Sequence, residues 1–377
     1  MALQKENRPL KVAILGSRGI PAKYGGFETF AEQISIRLAA SGVDVTVFCE
    51  SDGTDDMAET YSGVRLEHVR RRSLGPLSTV AFDAQCLWAA RRRFDIVYML
   101  GYGAAAFCLV PRLWGTHVWI NMDGLEWARS KWSGIGRAYL RLMEWVAVKV
   151  ASVVVADAEG IREDLVRRLG PIPNCKVLAY GTDTPDVHKL SAPNSESSGM
   201  QPGSYYLVVC RMEPENHVAE IVEGFLQAQT RRRLTIVGDV NLPTPYARKL
   251  REINEPRVVM LGAVYDRTKL DEIRAGAHAY LHGHSVGGTN PSLLEAMSVG
   301  NVIVAHDNVF NREVTAGNGL FFRDAAGVAQ CIESIEALPE ERRAEWVRLG
   351  MQRARSVYSW EHITEQYLSA FHESVGS

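Results

Sequence analysis

The sequence predicts an α/β protein made of two doubly wound domains, each built on a mostly parallel sheet. The chain has 377 residues, which is too long for a single hydrophobic core, so two domains are expected. Short apolar runs rich in β-branched residues alternate with segments of helical apolar spacing in both halves of the chain. Between the halves, residues 186–203 are polar and rich in Ser, Pro and Gly, which is typical of a linker.

The first half opens with a βαβ unit. Residues 11–15 (KVAIL) predict a buried parallel strand that ends at Gly16. Residues 27–40 carry apolar side chains at helical spacing, and residues 43–49 predict the next strand. The further strands predicted in this half are residues 94–100, 116–121, 152–156 and 176–179.

A second α/β series follows the linker. Its predicted strands are residues 205–209, 233–237, 258–261, 279–281 and 302–305. We therefore expect an N-terminal domain at residues 1–190, a linker at 191–203 and a C-terminal domain at 204–355. A helix within residues 356–377 is expected to pack back on the N-terminal domain. In such sheets ligands bind beyond the carboxyl ends of the strands, here in a cleft between the two domains.

Composition excludes several functional classes. The net charge is −2, so no nucleic-acid partner is expected. Six scattered cysteines without a C-x-x-C pair are typical of a reducing compartment. The first ten residues contain no apolar signal core, and the longest nearly uncharged run, residues 98–111, is too short to span a bilayer. The expected location is therefore the cytoplasm.

Basic residues outnumber acidic residues between positions 60 and 150. Within this stretch, residues 127–146 mix tryptophan and tyrosine with arginine and lysine, and arginine triplets stand at 70–72 and 91–93. Such a mixture predicts peripheral contact with an anionic membrane surface, at the inner face of the cell membrane. The alternative is a solvated basic face, with the helix packed on its own sheet and Trp145 in the core.

The first candidate site is the loop after the first strand, residues 16–29. Gly25 and Gly26 let the backbone approach a ligand closely, and the free N–H groups at a helix start favour anions. Arg18 and Lys23 add positive charge to the same loop. The G-x-G-x-x-G spacing of a dinucleotide fingerprint is missing from it. The alternative is an inert loop.

The second candidate site covers residues 282–297, where an apolar strand leads into a glycine-rich turn. Asn290 or Thr289 can cap a helix that begins near Pro291. The N–H groups at this helix start are arranged for a pyrophosphate. Glu295 lies one turn into the helix, where it can accept hydrogen bonds from ribose hydroxyls. The alternative for Glu295 is an ordinary acidic residue favoured by the helix dipole.

Two more strand ends carry polar residues. Arg211 follows the strand at 205–209, where a guanidinium can clamp phosphate; the alternative is a surface arginine. Asp123 and Glu126 follow the strand at 116–121, at a predicted sugar-binding edge. We expect Asp123 to orient hydroxyl groups, whereas Glu126 either faces the acceptor or caps the next helix.

No metal site is predicted. His282 and His284 alternate at one strand end, but a third ligand is lacking nearby, and there is no D-x-D pair in a strand–turn context. The positive helix end and Arg211 would then have to neutralise a leaving diphosphate.

These segments resemble glycosyltransferase family 4, whose members are retaining enzymes. The resemblance extends over almost the whole chain and is carried by RGIPAKYGGFET, DGLEWARSKW, RMEPENH and HSVGGTNPSLLEAM. It implies the GT-B fold, an α/β architecture of two Rossmann-like domains facing across a cleft. In the family, two glutamates eight positions apart contact the donor sugar and the ribose; Glu295 matches the second, and Gly287 stands at the first. The family's phosphate pair is an arginine and a lysine; Arg211 matches, and Asn216 replaces the lysine.

The same motifs resemble bacterial rhamnosyltransferases of capsule and exopolysaccharide synthesis. This implies L-rhamnose transfer from a dTDP- or UDP-linked donor to a saccharide acceptor carried on polyprenyl diphosphate, without a metal or other cofactor. A histidine that many members place near the donor's C6 hydroxyl is replaced by Asp123, which agrees with a 6-deoxy sugar. The residues implied in catalysis are Asp123, Arg211 and Glu295. Those implied in donor binding are Gly25, Gly26, Arg211, Asn216, Gly287, Gly288, Thr289, Asn290 and Glu295. Those implied on the acceptor side are Arg18, Lys23, Tyr24 and Glu126.

Two alternatives stay open at this point. A nucleotide-sugar 2-epimerase of GT-B fold would share the donor site and release a free sugar. A non-catalytic nucleotide-sugar-binding protein would explain the departures at Gly287 and Asn216.

Overall fold

The computed structural model describes residues 8–22, 25–53, 58–122, 124–186 and 200–376. The chain divides into two compact units, the first formed by Met1–Tyr180 with Trp360–Ser377 and the second by Gly181–Ser359. Each unit is an α/β domain with its own largely parallel sheet, which confirms the predicted fold class. The predicted linker falls mostly on residues 187–199, which lie outside the described residues.

The first unit contains an 8-stranded sheet. Its strands are β1 (Lys11–Leu15), β2 (Asp44–Ser51), β3 (Thr60–Tyr61), β4 (Val64–Arg70), β5 (Ile96–Leu100), β6 (His117–Asn121), β7 (Val153–Ala156) and β8 (Cys175–Val177). Its helices are α1 (Gly26–Ala40), α2 (Ser78–Ala90), α3 (Leu109–Leu113), α4 (Gly134–Val150), α5 (Glu159–Leu169) and, at the end of the chain, α13 (Trp360–Gly376). The strand order is β3-β4-β2-β1-β5-β6-β7-β8, and only β3 and β4 pair antiparallel.

The core of this unit forms on both faces of the sheet. The side chains of β1 from Val12 to Leu15 and all of β5 are buried, as expected for a parallel sheet covered by helices. Helix α13 adds an aromatic layer: the hydroxyls of Tyr98 and Tyr367 lie 2.9 Å apart, and the rings of Trp119 and Phe371 have centroids 4.6 Å apart. The C-terminal helix is therefore part of the first unit's core.

The second unit contains a 6-stranded sheet that is parallel throughout. Its strands are β9 (Tyr205–Val209), β10 (Arg233–Val237), β11 (Val258–Gly262), β12 (Ala279–His282), β13 (Ile303–His306) and β14 (Leu320–Phe322). Its helices are α6 (Val218–Gln227), α7 (Pro245–Arg251), α8 (Arg267–Ala275), α9 (Pro291–Ser298), α10 (Val309–Thr315), α11 (Ala325–Glu336) and α12 (Glu340–Val357). The strand order is β11-β10-β9-β12-β13-β14.

Local sequence explains where these helices begin and how closely they pack. A polar side chain accepts a hydrogen bond from an N–H of the first turn in α7 to α11, namely Thr244, Asp266, Asn290, Asn308 and Asp324. Helices α6 and α11 approach closely at Gly224, where an added Cβ would lie 2.2 Å from the carbonyl oxygen of Ala325. A larger residue there would push the two helices apart.

Each sheet reverses its strand order at one place. In the first unit the reversal lies between β1 and β5, and in the second between β9 and β12. Ligands of doubly wound sheets bind beyond the carboxyl ends of the strands at such a switch point. The loops that follow β1, β5, β9 and β12 are therefore the places to look for a site in each unit.

Among the described helices, none combines the length and the apolar character needed to cross a bilayer.

Candidate functional site

Two loops meet at the switch point of the second unit, the loop after β9 and the loop after β12. The N–H of Ser285 donates to the carbonyl of Glu215 at 2.9 Å, and the Ser285 hydroxyl donates to the same oxygen at 3.1 Å. Nε2 of His217 lies 3.0 Å from Ser285 Oγ and adds a third contact between the loops. At Gly283 an added Cβ would lie 1.9 Å from the carbonyl oxygen of Asn216. These contacts hold the two loops together.

Arg211 begins the first of these loops. Its side chain is 41% exposed, and its guanidinium lies 3.5 Å from the carboxylate of Glu213. Its carbonyl is used inside the loop, where it accepts from the N–H of Glu213 and from the side chain of Asn216, each at 2.8 Å. The guanidinium of Arg211 is therefore accessible to solvent at the carboxyl end of β9, while its backbone holds the loop.

Asn216 has a different set of partners from the pyrophosphate oxygens predicted for it. The residue is buried, and its Nδ2 donates to the Arg211 carbonyl. Because a carbonyl only accepts, this bond fixes the orientation of the amide, and Oδ1 faces Nδ1 of His284 at 2.8 Å. Nδ1 of His284 therefore carries a proton. Asn216 positions an imidazole in this structure.

Gly287 lies on the other side of the same imidazole. Its φ of 126° belongs to the region that glycine adopts readily, and an added Cβ would lie 3.2 Å from Nε2 of His284. The two positions at which the chain departs from the family pattern, Asn216 and Gly287, thus flank one side chain, His284. The sequence analysis named His284 only in rejecting a metal site and did not predict this place for it.

Helix α9 starts as the sequence predicted. Asn290 is the N-cap, since its side chain accepts from the N–H of Ser292 at 3.0 Å, and Pro291 is the first helical residue. Gly288 and Thr289 are buried in the turn before it. Within the described part of the chain, the N–H groups of Gly287 and Gly288 donate to no backbone carbonyl. These amides and the positive helix end provide an arrangement that favours an anion.

Glu295 projects from α9 toward an arginine that the sequence pattern did not reveal. Its carboxylate pairs with the guanidinium of Arg274, a side chain only 2% exposed, which also pairs with Asp271 at 3.0 Å. The Glu295 side chain itself is 23% exposed. The buried arginine fixes the orientation of the Glu295 carboxylate. Arg274 sits on the strongly polar helix α8, where nothing in the sequence pattern marks one arginine as buried.

Two further histidines stand near this site, His217 and His306. Their rings stack with centroids 4.5 Å apart. Burial lowers the pKa of His306, and the neighbouring His217 lowers it further. Burial also holds the pKa of His282 well below its usual value, so that ring is neutral. His306 is the last residue of β13, and His217 lies in the loop after β9; a place at the carboxyl end of a strand is the signal that could have identified them. In the described residues no group of three or more His, Cys, Asp or Glu side chains is arranged to hold a metal ion.

The glycine-rich loop of the first unit leads into α1. Gly25 is the N-cap of that helix with a φ of 127°, and it offers no side chain to the first turn. Arg18 is exposed, and its N–H donates to the carboxylate of Glu28 at 3.1 Å. The N–H of Ala22 donates to Glu32 at 2.6 Å. Two carboxylates of α1 thus organise the loop; Lys23 and Tyr24 lie outside the described residues.

Glu126 lies in the loop after β6 and is surrounded by partners from its own segment. Its carboxylate pairs with Lys131 at 2.7 Å and Arg129 at 3.1 Å, and it accepts from the indole of Trp132 at 3.0 Å. Burial alone would raise the pKa of Glu126, but these cations and the indole outweigh it and lower the pKa. The carboxylate holds residues 126–132 together, and its predicted acceptor-side role stays a prediction. Asp123 lies outside the described residues.

Two family models match separate parts of the chain. Residues 203–337 match the family described as Glycosyl transferases group 1. The protein is a glycosyltransferase. Residues 10–183 match a domain of unknown function (DUF1972). No curated protein matches the sequence of this glycosyltransferase.

Solved structures resemble the glycosyltransferase over nearly its full length. Sucrose-phosphate synthase from Thermosynechococcus elongatus has a TM-score of 0.79 at 18% identity, covering 97% of this chain and 98% of that one. Anabaena HepE in complex with UDP-glucose has a TM-score of 0.77 at 18% identity, covering 97% and 100%. The α,α-trehalose 6-phosphate synthase from Burkholderia multivorans has a TM-score of 0.74 at 14% identity, covering 98% and 97%. These likenesses confirm the predicted GT-B fold.

Proposed function

We propose that this glycosyltransferase moves a sugar, L-rhamnose, from a dTDP- or UDP-linked donor to a saccharide acceptor with retention of configuration. The observation that carries the donor class is the pair of loops at the switch point of the second unit. They combine a helix start suited to an anion with the exposed guanidinium of Arg211. The structurally similar Anabaena HepE is in complex with UDP-glucose, and such a donor carries a diphosphate.

The donor diphosphate would bind without a metal ion. Its oxygens would accept hydrogen bonds from the N–H groups of Gly287, Gly288 and Thr289, and Arg211 would neutralise the charge that grows on the leaving group. The carboxylate of Glu295, oriented by Arg274, would accept from the ribose hydroxyls. Gly25 and Gly26 of the first unit would bring backbone N–H groups to the phosphate or acceptor.

His284 is proposed to act at the donor in place of the family's glutamate and lysine. Asn216 holds the ring through Nδ1, so Nε2 is the nitrogen that accepts a proton or a hydrogen bond in the neutral ring. Gly287 adds no side chain on the Nε2 side of the ring. Contact between His284 and a hydroxyl of the donor sugar would explain why both family residues can be missing from an active enzyme.

The chemical step follows from this arrangement. The bond between the sugar C1 and the β-phosphate oxygen breaks, and the nucleoside diphosphate leaves. The acceptor oxygen forms the new bond to C1 from the same face, and its proton passes to the departing phosphate oxygen. No separate base is required in this scheme. Asp123, which stands where many family members have a histidine, would orient hydroxyl groups of the sugar or the acceptor.

A polyprenyl-diphosphate-linked saccharide is the proposed acceptor, and bacterial polysaccharide synthesis the proposed process. Such an acceptor lies at a membrane. The enzyme would then work in the cytoplasm and contact the inner face of the cell membrane peripherally, as a surface rich in arginine and tryptophan favours.

The test is a transfer assay with dTDP-rhamnose, UDP-rhamnose and UDP-glucose, with and without a chelator, on a polyprenyl-diphosphate-linked sugar. We expect rhamnose transfer that the chelator leaves unchanged, and release of one nucleoside diphosphate for each sugar transferred. A thermal-shift panel of nucleotide-sugars would identify the nucleobase of the donor. A ligand at a hundredfold its Kd stabilises the protein by about 2.7 kcal/mol, so the preferred donor should raise the unfolding temperature. Release of a free epimerised sugar would support the epimerase instead, and binding without any turnover would support a non-catalytic protein.

A further inference from the structure

Exposed apolar side chains concentrate in one part of the first unit. Most of the large hydrophobic residues that the described chain exposes lie between residues 74 and 145. The most prominent are 48–87% exposed, namely Leu74, Leu77, Trp88, Leu113, Ile135, Leu142 and Trp145. Exposed large apolar residues are ordinary when scattered, but a group of them marks an interaction surface.

These side chains lie on or next to α2, α3 and α4; α2 contacts α3, and α4 contacts the segment before α3. Leu77, directly before α2, and Trp88, within α2, are eleven residues apart, about three helical turns, so they lie on the same side of this helix. The ring of Trp88 meets that of Trp114, directly after α3, with centroids 6.5 Å apart. Helix α4 is fixed to the segment before α3 by the Tyr139 hydroxyl, which donates to the carbonyl of Gly103 at 2.7 Å. We call this surface of α2, α3 and α4 the docking face.

The charges of the docking face are of one sign. The acidic residues of the three helices are Asp83 and Glu144, and both are buried. The basic residues on or beside the helices are Arg91, Arg92, Arg93, Arg112, Arg137, Arg141 and Lys149, of which all but the half-buried Arg91 are exposed. Arg93 pairs with Glu67 at 2.7 Å. Glu144 is neutralised inside the unit by Arg168. The docking face is therefore apolar and cationic.

Arginines stack directly on the exposed indoles. The guanidinium of Arg91 lies 4.1 Å from the ring centroid of Trp88, and that of Arg92 lies 4.9 Å from that of Trp114. Cation–π pairs of this kind keep the charge beside the ring without an acidic partner. Tryptophan next to arginine is the composition that suits the headgroup level of a bilayer.

Two tryptophans of the segment that the sequence indicated do not contribute to this surface. Within residues 127–146, the indole of Trp127 donates to Glu144 at 3.2 Å, and that of Trp132 donates to Glu126 at 3.0 Å. Both indoles are therefore hydrogen-bonded within the unit. Trp145 is 48% exposed, which rules out the alternative that placed it in the core.

We propose that the docking face binds an anionic lipid bilayer. The inference rests on the membrane contact of the proposed function and gives it a defined surface. A second copy of the chain is a poorer occupant, since a twofold interface would bring the same arginines against each other. A bilayer offers what the surface lacks: negative headgroups for the cations and an interfacial zone for Trp88, Ile135 and Leu142.

The experiment is flotation of the full-length protein with vesicles of phosphatidylcholine alone or mixed with phosphatidylglycerol, at low and at high salt. We expect the wild type to float with the anionic vesicles and to lose binding as salt rises. Ile135→Ser with Leu142→Ser should weaken vesicle binding at least tenfold. Arg137→Gln with Arg141→Gln should weaken binding to anionic vesicles by a similar factor and reduce its salt dependence.

Matched controls come from the second unit and need no new assay. Tyr265→Ser replaces a side chain that is 70% exposed, and Arg355→Gln removes an exposed cation; both variants should float like the wild type.

Equal flotation of the two double variants and the wild type would overturn the docking face while leaving membrane contact in place. If the wild type does not bind anionic vesicles at low salt, both the docking face and the membrane contact are overturned. A dimer in solution that Ile135→Ser with Leu142→Ser dissociates would assign the face to a second copy instead. Donor-induced thermal shift requires no membrane, so it reports failure of the donor site separately.

Discussion

The side-chain oxygen of Asn216 lies 2.8 Å from Nδ1 of His284, and the amide that carries it is held in place by the carbonyl of Arg211. This bond joins the two loops that follow β9 and β12. It also gives Asn216, which stands where the family pattern has lysine, a task that lysine could not perform, because lysine has no acceptor.

Coupling between Asn216 and His284 is the first prediction. Asn216→Ala should free the imidazole to rotate and lower kcat/KM about tenfold, and His284→Ala should lower it at least as much. Because the amide acts through the ring, Asn216→Ala should cost little more once His284 is alanine. A double-mutant cycle on donor turnover should give a coupling of about 0.5–3 kcal/mol. Strict additivity would show that Asn216 does not work through His284.

Gly287 should tolerate no side chain. Gly287→Ala would place a Cβ 3.2 Å from Nε2 of His284 on a backbone with a φ of 126°, so we expect a loss of about 1–3 kcal/mol in the free energy of unfolding and a larger fall in turnover. Gly287→Glu, which restores the family's residue, should not restore a better enzyme for the same reason. Thermal unfolding and donor kinetics measure the two effects.

The matched control for this position is Gly350→Ala in α12. That glycine is buried, has no positive φ, and its added Cβ would meet its nearest neighbour at 3.9 Å. Alanine is the better helix former, so the free energy of unfolding should stay the same or rise. Wild-type stability and turnover in Gly287→Ala would remove the steric argument for glycine next to His284.

Sequence patterning predicted the frame of this fold because buried parallel strands are continuous apolar runs. The predicted strand at residues 205–209 has the observed bounds of β9, and 233–237 those of β10. The strands missed were β3, β4 and β14. Residues 60–70 are too rich in charge to stand out as a strand, since β4 is largely half-exposed, and Leu320–Phe322 is too short.

The candidate site was predictable only where local chemistry decides it. The cap at Asn290 and the place of Arg211 follow from the residue types around a strand end and a helix start. The partners of Asn216 and Glu295 could not be predicted from the local sequence. Their contacts, His284 and Arg274, are 68 and 21 residues away along the chain, so only the fold brings them together.

The two carboxylates that pair with Arg274 should behave differently. Glu295→Gln should raise the donor KM and lower turnover, since Glu295 is proposed to hold the ribose. Asp271→Asn, the matched control, pairs with the same guanidinium at 3.0 Å but should change only the free energy of unfolding. Donor kinetics and thermal unfolding of both variants provide the comparison. An unchanged donor KM in Glu295→Gln would make Glu295 a structural partner of Arg274 and nothing more.

Removal of Arg274 itself should be costly for the fold. Arg274→Met would leave two carboxylates without their buried cation, and breaking a buried ion pair from one side costs about 3–5 kcal/mol. The variant should therefore unfold at a lower temperature than Glu295→Gln, which leaves the arginine paired with Asp271. Equal stability of the two variants would show that this ion pair contributes little.

Asp83 should make the stability of the protein depend on pH. Burial, and to a smaller extent the charge on Glu50, raise the pKa of this carboxyl from 3.8 to about 7, against an opposing effect of Arg71. Between these two pKa values the folded state binds a proton that the unfolded state has released. The free energy of unfolding should therefore fall as pH rises from about 4 to about 7, and then level off, with a total contribution of up to about 4 kcal/mol.

The side chain in Asp83→Asn is neutral in both states, so the variant should gain stability relative to the wild type between pH 5 and pH 8. Thermal or urea unfolding at both pH values measures this difference, and a difference that stays constant with pH would mean that Asp83 is ionised in the folded protein throughout this range.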